Sequence, residues 1–452
     1  MAEPSNWNAT FRGAEPSWAN ACVGNNGSPG YREYAEGFSD AANMLLAHVL
    51  DNEERSNVDI LVYPICFNIR HAVELRLKHA IIKIKHLYEV KKINKVFDLV
   101  TIHDINKLWE IIINSCAELD RRFIIATEKI AEYVNDIGQI DPTGQTFRYP
   151  YSNDDVKHLT NESIINLFVI RKRFSKLSEY LSHFIDLIDC IITEYKQGLF
   201  TSKLSREDLF QITKIIPTYE NWGSKEFTLA KKQITEKYNL SSNDFNRALK
   251  AIKNHREFSY LIKNKNQKIE ISKETILNFF KYWIKINPQP NISQEGQAII
   301  NNKNNDDDIF DFDFPSKNHA ALLKRIEFDE KIFDEYWMLH GCNLTNLDVA
   351  YLATFYSNSD FDYSERFFKT LNYELKITTN IPKENKINIK SLFHKFRYLE
   401  KTINNLLLLK EIEITIDLIV FLEIPPDKYQ IAFFESGDNM PNISQHYQHK
   451  FE

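Results

Sequence analysis

The chain has 452 residues, 43% hydrophobic and 26% charged, which is enough to bury more than one core. Its 56 Lys and Arg against 62 Asp and Glu leave a formal charge of −6, which excludes a nucleic-acid coat that works through a large cationic excess. With only 12 glycines, it is poor material for Gly-rich phosphate loops and glycine-dependent β folds.

Residues 1–30 are rich in turn formers and read as a flexible lead-in. From Tyr31, the residues Tyr34, Phe38, Ala41, Ala42, Leu45, Leu46 and Val49 recur at helical spacing. Pro64 is placed to open a long second helix, where its missing N–H costs nothing. Ile65, Ile69, Ala72, Val73, Leu77 and Ala80 form its buried face, and Arg70, Glu74 and Lys78 form one charged stripe four residues apart. His103 and Asp104 mark the start of a third helix, with Ile105, Leu108, Trp109, Ile112 and Cys116 inward. A fourth covers roughly Glu118 to Val134. Asp141-Pro142-Thr143-Gly144 is a tight turn, and a fifth helix runs from about Ser163 to Tyr195. Five helices in so short a stretch predict an antiparallel bundle over 31–200.

A second helical block covers 201–286, with Leu240-Ser241-Ser242-Asn243-Asp244 as a helix start. Residues 287–315 carry Pro288, Pro290, an Asn-rich run and Asp306-Asp307-Asp308, and read as a linker. The remainder, 316–452, is mainly helical. There Ile412, Ile414, Ile416 and Leu418 alternate with polar residues, which suggests a short strand pair. The expected class is all-α.

Cys22, Cys66, Cys116, Cys190 and Cys342 are odd in number and far apart, which excludes a disulfide framework and a Cys-based zinc site. No apolar run has the length of a signal peptide or a membrane span, so a cytoplasmic protein with no membrane partner is expected. Metalloprotease, Walker A, dinucleotide, kinase and nucleophile-elbow motifs are absent. No metal and no cofactor are expected.

One stretch is dense in chemistry: Tyr63 to Lys78, with Arg70, His71 and Glu74, followed by His103-Asp104 and Phe147-Arg148-Tyr149-Pro150. Arg70-His71-Ala72-Val73-Glu74-Leu75-Arg76-Leu77-Lys78, the His-Asp helix start and the Phe-Arg-Tyr-Pro loop together resemble HEPN-like helical bundles. The likeness is to a bacterial group associated with phage defence and abortive infection. It covers about 31–195, and Leu347 to Glu365 resembles a further segment of that group. The resemblance implies an RNA-directed protein that assembles as a dimer, in a family whose RNases carry an Arg and a His four to six residues apart. No Arg here is followed by a His at that spacing; Arg247 to His255 has seven residues between.

Arg70, His71, Glu74, His103 and Arg148 are therefore the candidates for a nonstandard catalytic site. An RNase needs a base that works near neutrality, for which His is natural, and a cation for developing phosphorane charge. The bland alternative is that Glu74 pairs with Arg70, Lys78 or Arg148 and simply satisfies a seam between helices. Arg148 is expected to anchor its loop to Glu74 or a helix C-terminus. Lys78, Lys83, Lys85, Arg171 and Arg173 belong to cationic tracts that would face RNA, or are solvated helix surface. Arg247, Lys250, Lys253 and His255 could form a winged-helix-like reader of DNA. Two functions follow: an RNA-binding or RNA-cleaving defence protein, or a noncatalytic scaffold or sensor that assembles with itself or a separate effector.

Overall fold

The structure is a computed structural model. It describes residues 8–422, apart from 25, 52–56, 98–100, 153, 265–267, 288–318, 359–362 and 379–381. The linker read at 287–315 lies outside the described residues except for Asn287. Every regular element among the described residues is helical, and an isolated antiparallel bridge joins Tyr151 to Lys157. The fold is all-α. The chain divides into two compact units at Lys196 and Gln197.

In the first unit, residues 8–30 are largely exposed and form one short 3-10 turn, Ser17–Ala19. Five helices follow: α1 (Tyr31–Asp51), α2 (Val58–Val90), α3 (Ile105–Leu119), α4 (Phe123–Ile140) and α5 (Leu167–Tyr195). Helix α2 is the axis, packed against α1, α3 and α5. Ile65, Ala72, Val73, Leu77, Ala80, Ile81, Ile84 and Leu87 are buried along it. These residues occupy more than one helical stripe, as expected of a helix surrounded by neighbours.

Pro64 does not open α2. The helix begins two turns earlier, at Val58, and Pro64 sits inside it. A proline there leaves the Ile60 carbonyl without its helical donor, and Ile60 is exposed, so water can take the donor's place. The turn from α3 to α4 falls at Asp120, later than the spacing suggests. Asp120 accepts from the Arg122 backbone N–H at 3.0 Å, which fixes the corner. Asp104 caps α3 as expected, accepting from the N–H groups of Asn106 and Lys107. Asn166 caps α5 in the same way.

In the second unit, α6 (Arg206–Ile215), α7 (Lys225–Lys237), α8 (Ser242–Asn254) and α9 (Arg256–Leu261) surround one core that includes Leu209, Ile234, Phe245, Ile252 and Phe258. Ser241 and Asp244 form a capping box at the helix start read from the sequence. Helix α10 (Lys273–Ile286), grouped by sequence with this block, belongs to a second core. It packs there with α11 (His319–Leu339), α12 (Asn346–Ser357), α13 (Ser364–Thr378), α14 (Pro382–Phe393), α15 (Tyr398–Leu408) and α16 (Ile412–Phe421). Its aromatic residues explain the switch: Phe279 meets Tyr336, Phe393 and Tyr398 at ring-centre distances of 4.7–5.8 Å.

The two cores are joined by buried ion pairs. Arg206 pairs with Glu257 and, at 2.8 Å, with Glu365 of α13, while Arg256 pairs with Glu411. The alternating segment near residue 412 is α16, not a strand. Thr415, Leu418 and Ile419 are buried at helical spacing, and a lone strand with no neighbour would leave its backbone groups unpaired.

Leu77 is fully buried at the centre of α2. Leu77→Ala is expected to destabilise the first unit by about 2–5 kcal/mol, measured by denaturant unfolding. An unchanged midpoint would contradict the central role of α2.

Candidate active site

Because α2 is enclosed, its charged stripe cannot reach bulk water. Arg70, Glu74 and Lys78 keep only 3%, 3% and 4% of their surface exposed. A buried charge is tolerated only when paired and hydrogen-bonded. Spacing supplies the pairing: Arg70 and Lys78 lie one turn before and one turn after Glu74, and His71 lies three residues before it.

Glu74 is the hub. Its carboxylate accepts from Lys78 Nζ at 3.0 Å and pairs with Arg70. His103 Nδ1, arriving from just before α3, lies 3.0 Å from Glu74 Oε1. His71 Nδ1 approaches Oε2 at 3.9 Å, too far for a hydrogen bond and close enough for charge interaction. Burial alone would raise the Glu74 carboxyl. Its contacts with His71, Lys78 and His103, and the Arg70 charge, outweigh burial and hold it well below the usual carboxylate range.

Arg70 is almost fully engaged. Besides Glu74, it donates to the carbonyls of Asp141 at 3.2 Å, His103 at 2.6 Å and Pro142 at 2.8 Å. It thus ties α2 to the start of α3 and the end of α4. The Asp141–Gly144 turn is shaped to receive it. Asp141 Oδ1 accepts from the N–H groups of Gly144 and Thr146. Gly144 has φ +83°, and a Cβ there would sit 3.0 Å from Arg70 Nη1.

Three of the candidates reach the surface: His103, His71 and Arg148. The His103 side chain is 62% exposed and that of His71 is 30% exposed. Each turns Nδ1 toward Glu74, which leaves Nε2 on the far side of the ring. His71 is held between Phe38, edge-on at 4.4 Å, and Phe67, parallel at 5.8 Å. Arg148 does not meet Glu74 or a helix C-terminus. Its guanidinium lies 5.6 Å from the Phe67 ring centre and donates to Tyr149 Oη at 3.2 Å. The reason is that Arg70 and Lys78 already neutralise Glu74, so a third cation gains more from the aromatic faces and water. Phe67 thus borders both His71 and Arg148.

The residues read as cationic tracts fare differently. Lys78 is buried on Glu74 and cannot face RNA. Lys83 pairs with Asp189 at 2.8 Å and Arg171 with Asp51 at 2.8 Å. Arg173 pairs with Glu132 at 3.0 Å and with Asp136 at 2.5 Å. Lys85 is exposed. In the second unit, His255 turns inward, its Nε2 3.2 Å from Glu365, and Arg247 pairs with Asp244. No strand pair among the described residues supplies a wing beside them.

Sequence reasoning missed a second buried centre. Arg122 bonds both Asp120 and Glu194, while Tyr195 Oη donates to Asp120 at 3.0 Å. The Asp-x-Arg spacing was a usable signal, but nothing in the sequence pointed to Glu194. Among the described residues no group of three or more His, Cys, Asp or Glu side chains is arranged to hold a metal ion. No helix among them is long and apolar enough to cross a membrane.

The fold and site define an all-α protein whose first unit is built around a buried carboxylate with two imidazoles beside it, one of them within hydrogen-bond distance. The chain matches no known protein family, no curated protein and no solved structure.

Glu74→Gln is expected to lower stability by about 3–5 kcal/mol, because Arg70 and Lys78 stay buried without their counter-charge. Since the Glu74 carboxyl is depressed on folding, its stabilisation is complete above the ordinary carboxylate range and fades as pH falls below it. The acid limb of the stability–pH curve should flatten in Glu74→Gln. A variant as stable as the parent, with the parent's acid limb, would show that Glu74 is not the hub.

Proposed function

We propose that the first unit is a HEPN-like module of a bacterial defence protein that cleaves RNA by acid–base chemistry. His71 and His103 move the protons in this reading. The observation that carries it is the pairing of two solvent-facing imidazoles on one buried carboxylate, beside an exposed Arg148. Glu74 is a positioning residue: it holds His103 Nδ1 at 3.0 Å and stands beside His71 Nδ1 at 3.9 Å.

The chemistry needs no group beyond these. One neutral imidazole takes the proton from a ribose 2′-hydroxyl as its oxygen attacks the adjacent phosphorus. The other, protonated, gives its proton to the departing 5′-oxygen, leaving a 2′,3′-cyclic phosphate and a 5′-hydroxyl. Arg148 balances charge on the phosphorane oxygens. Arg70 takes no direct part, since it is buried and four of its five N–H donors are already engaged. The absence of the family's Arg–His spacing is then a change of apparatus: the second histidine comes from the start of another helix.

A second reading, a noncatalytic scaffold or sensor working with itself or a separate effector, is favoured by that same burial and engagement of Arg70. The two readings separate in one assay. Incubation of the purified chain with total RNA should give cyclic-phosphate ends. His71→Ala and His103→Ala should each lower the rate by about 100-fold or more while leaving the fold intact by circular dichroism. Arg148→Ala should weaken RNA binding as well as the rate. Intact RNA at high protein concentration would reject the catalytic reading. Sedimentation then decides whether the chain pairs with a second copy, as HEPN-like assembly implies.

A further inference from the structure

Toward the N-terminus of α2, the side that carries Glu74 continues through Arg70 to Cys66, with Ile69 beside it. There a cleft of about 230 Å³ opens between α2, α4, α5 and the chain from Phe147 to Ile165. Its walls are mainly apolar, with Tyr133, Phe147 and Phe174 as the aromatic surfaces. Burial, and next the charge of Asp141, pushes the Cys66 thiol up to about 12, so it lines the wall as a neutral group. Polar groups are few: Arg70 is buried and held by Glu74, and the others lie at the rim. Glu162 offers an exposed carboxylate, and Arg173 lies with its guanidinium 4.4 Å from the Tyr133 ring centre, engaged by Glu132 and Asp136.

We propose that this cleft binds one flat, amino-bearing heteroaromatic ring of nucleobase size. Volume sets the upper bound: the space exceeds the roughly 150 Å³ that holds a benzene and falls short of the roughly 300 Å³ where drug-sized sites begin. Aromatic walls favour a planar ring over a branched aliphatic one. Charge decides the rest. The rim carries Glu162 and Asp136, and its one cation at the mouth, Arg173, is already balanced by two carboxylates. A fatty acid or other anionic amphiphile would meet net repulsion there, whereas an exocyclic amino group finds an acceptor in Glu162.

Such a ring has two sources: a free nucleoside, or one unstacked base of an RNA strand. The geometry links the cleft to the histidines. Phe147 in the cleft is the chain neighbour of Arg148, and Arg70 is the neighbour of His71. A base held here would set the register of a strand at the acid–base groups. That strand arm rests on the proposed RNase reading, and the ring-binding arm does not.

The test uses the full chain, with adenosine as probe and octanoate as contrast, followed by calorimetry and saturation-transfer NMR. Adenosine is expected to bind saturably at about millimolar concentration or below, and octanoate not at all. Ile165→Trp should fill the cleft and weaken adenosine about tenfold. If that variant shifts the unfolding midpoint, Glu162→Lys, an exposed substitution, decides alone with the same expected loss. No saturable adenosine binding, parent-like binding by both variants, or preferential octanoate binding would each overturn the proposal. A short oligoadenylate binding tighter than adenosine, with the same loss in Ile165→Trp, assigns the cleft to a strand; equal affinity assigns it to the free nucleoside. Adenosine binding by a protein that leaves RNA intact would keep the cleft and reject the RNase reading. RNA cleavage without adenosine binding would do the reverse.

Discussion

One carboxylate, Glu74, organises the first unit. Helix α2 is walled in by its neighbours, so a charge on it must be answered within a few ångströms or be lost. Four basic or titratable side chains answer it: two from the same helix face, His71 from the same turn, and His103 from outside the helix. The order of cause matters. Arg70 would be as costly to bury as Glu74, and it is tolerated because three main-chain carbonyls share it with the carboxylate. Those carbonyls belong to the ends of α3 and α4, so neutralising α2 also fixes where both helices begin and stop. His103 is placed by the same act, since its own carbonyl is one of the three.

The contrast with the other buried centre explains why only one is read as functional. Around Arg122, burial alone would lower the guanidinium, but Glu194 and Asp120 raise it well above its ordinary value. Tyr195, buried beside them, is pushed far up. Arg122, Asp120, Glu194 and Tyr195 are all buried, and each charge has a fixed partner. Such a network locks a corner of the bundle. The Glu74 centre is built from the same materials, yet the side chains of two of its members, His71 and His103, are 30% and 62% exposed.

Much of this was legible in the sequence, because it follows from local spacing. The stripe Arg70–Glu74–Lys78, the Asp104 cap, the Asp141–Gly144 turn and the apolar face of α3 are all consequences of residues within one or two turns of each other. What stayed hidden depends on distant chain. Spacing leaves Arg148 two anchors, Glu74 or a helix C-terminus, and it takes neither. Spacing lists Arg70, Lys78 and Arg148 as partners for Glu74 without ranking them, and the first two already balance the carboxylate. Lys78 itself was assigned to a solvent-facing tract because helical periodicity cannot tell a helix buried on one side from one buried all round. Pro64 misled in the same way: its chemistry excludes an unsatisfied carbonyl, but exposure at Ile60 supplies water instead. The alternating isoleucines of α16 satisfy two periods at once, and only the buried set Thr415, Leu418 and Ile419 breaks the tie.

The second unit shows why composition cannot draw domain boundaries. Arg206 and Arg256 lie in the first helical block, and both discharge onto carboxylates in the second, at Glu365 and Glu411. Burial would lower Arg206, but Glu257 and Glu365 raise it far above its usual value, and Glu365 is correspondingly depressed despite its own burial. Separating the blocks would expose a set of charges matched only to each other. It would also strip α10 of the rings around Phe279. The Pro- and Asn-rich stretch in the sequence therefore does not mark where one folded body ends, because the ion pairs that join the cores come from helices on either side of it.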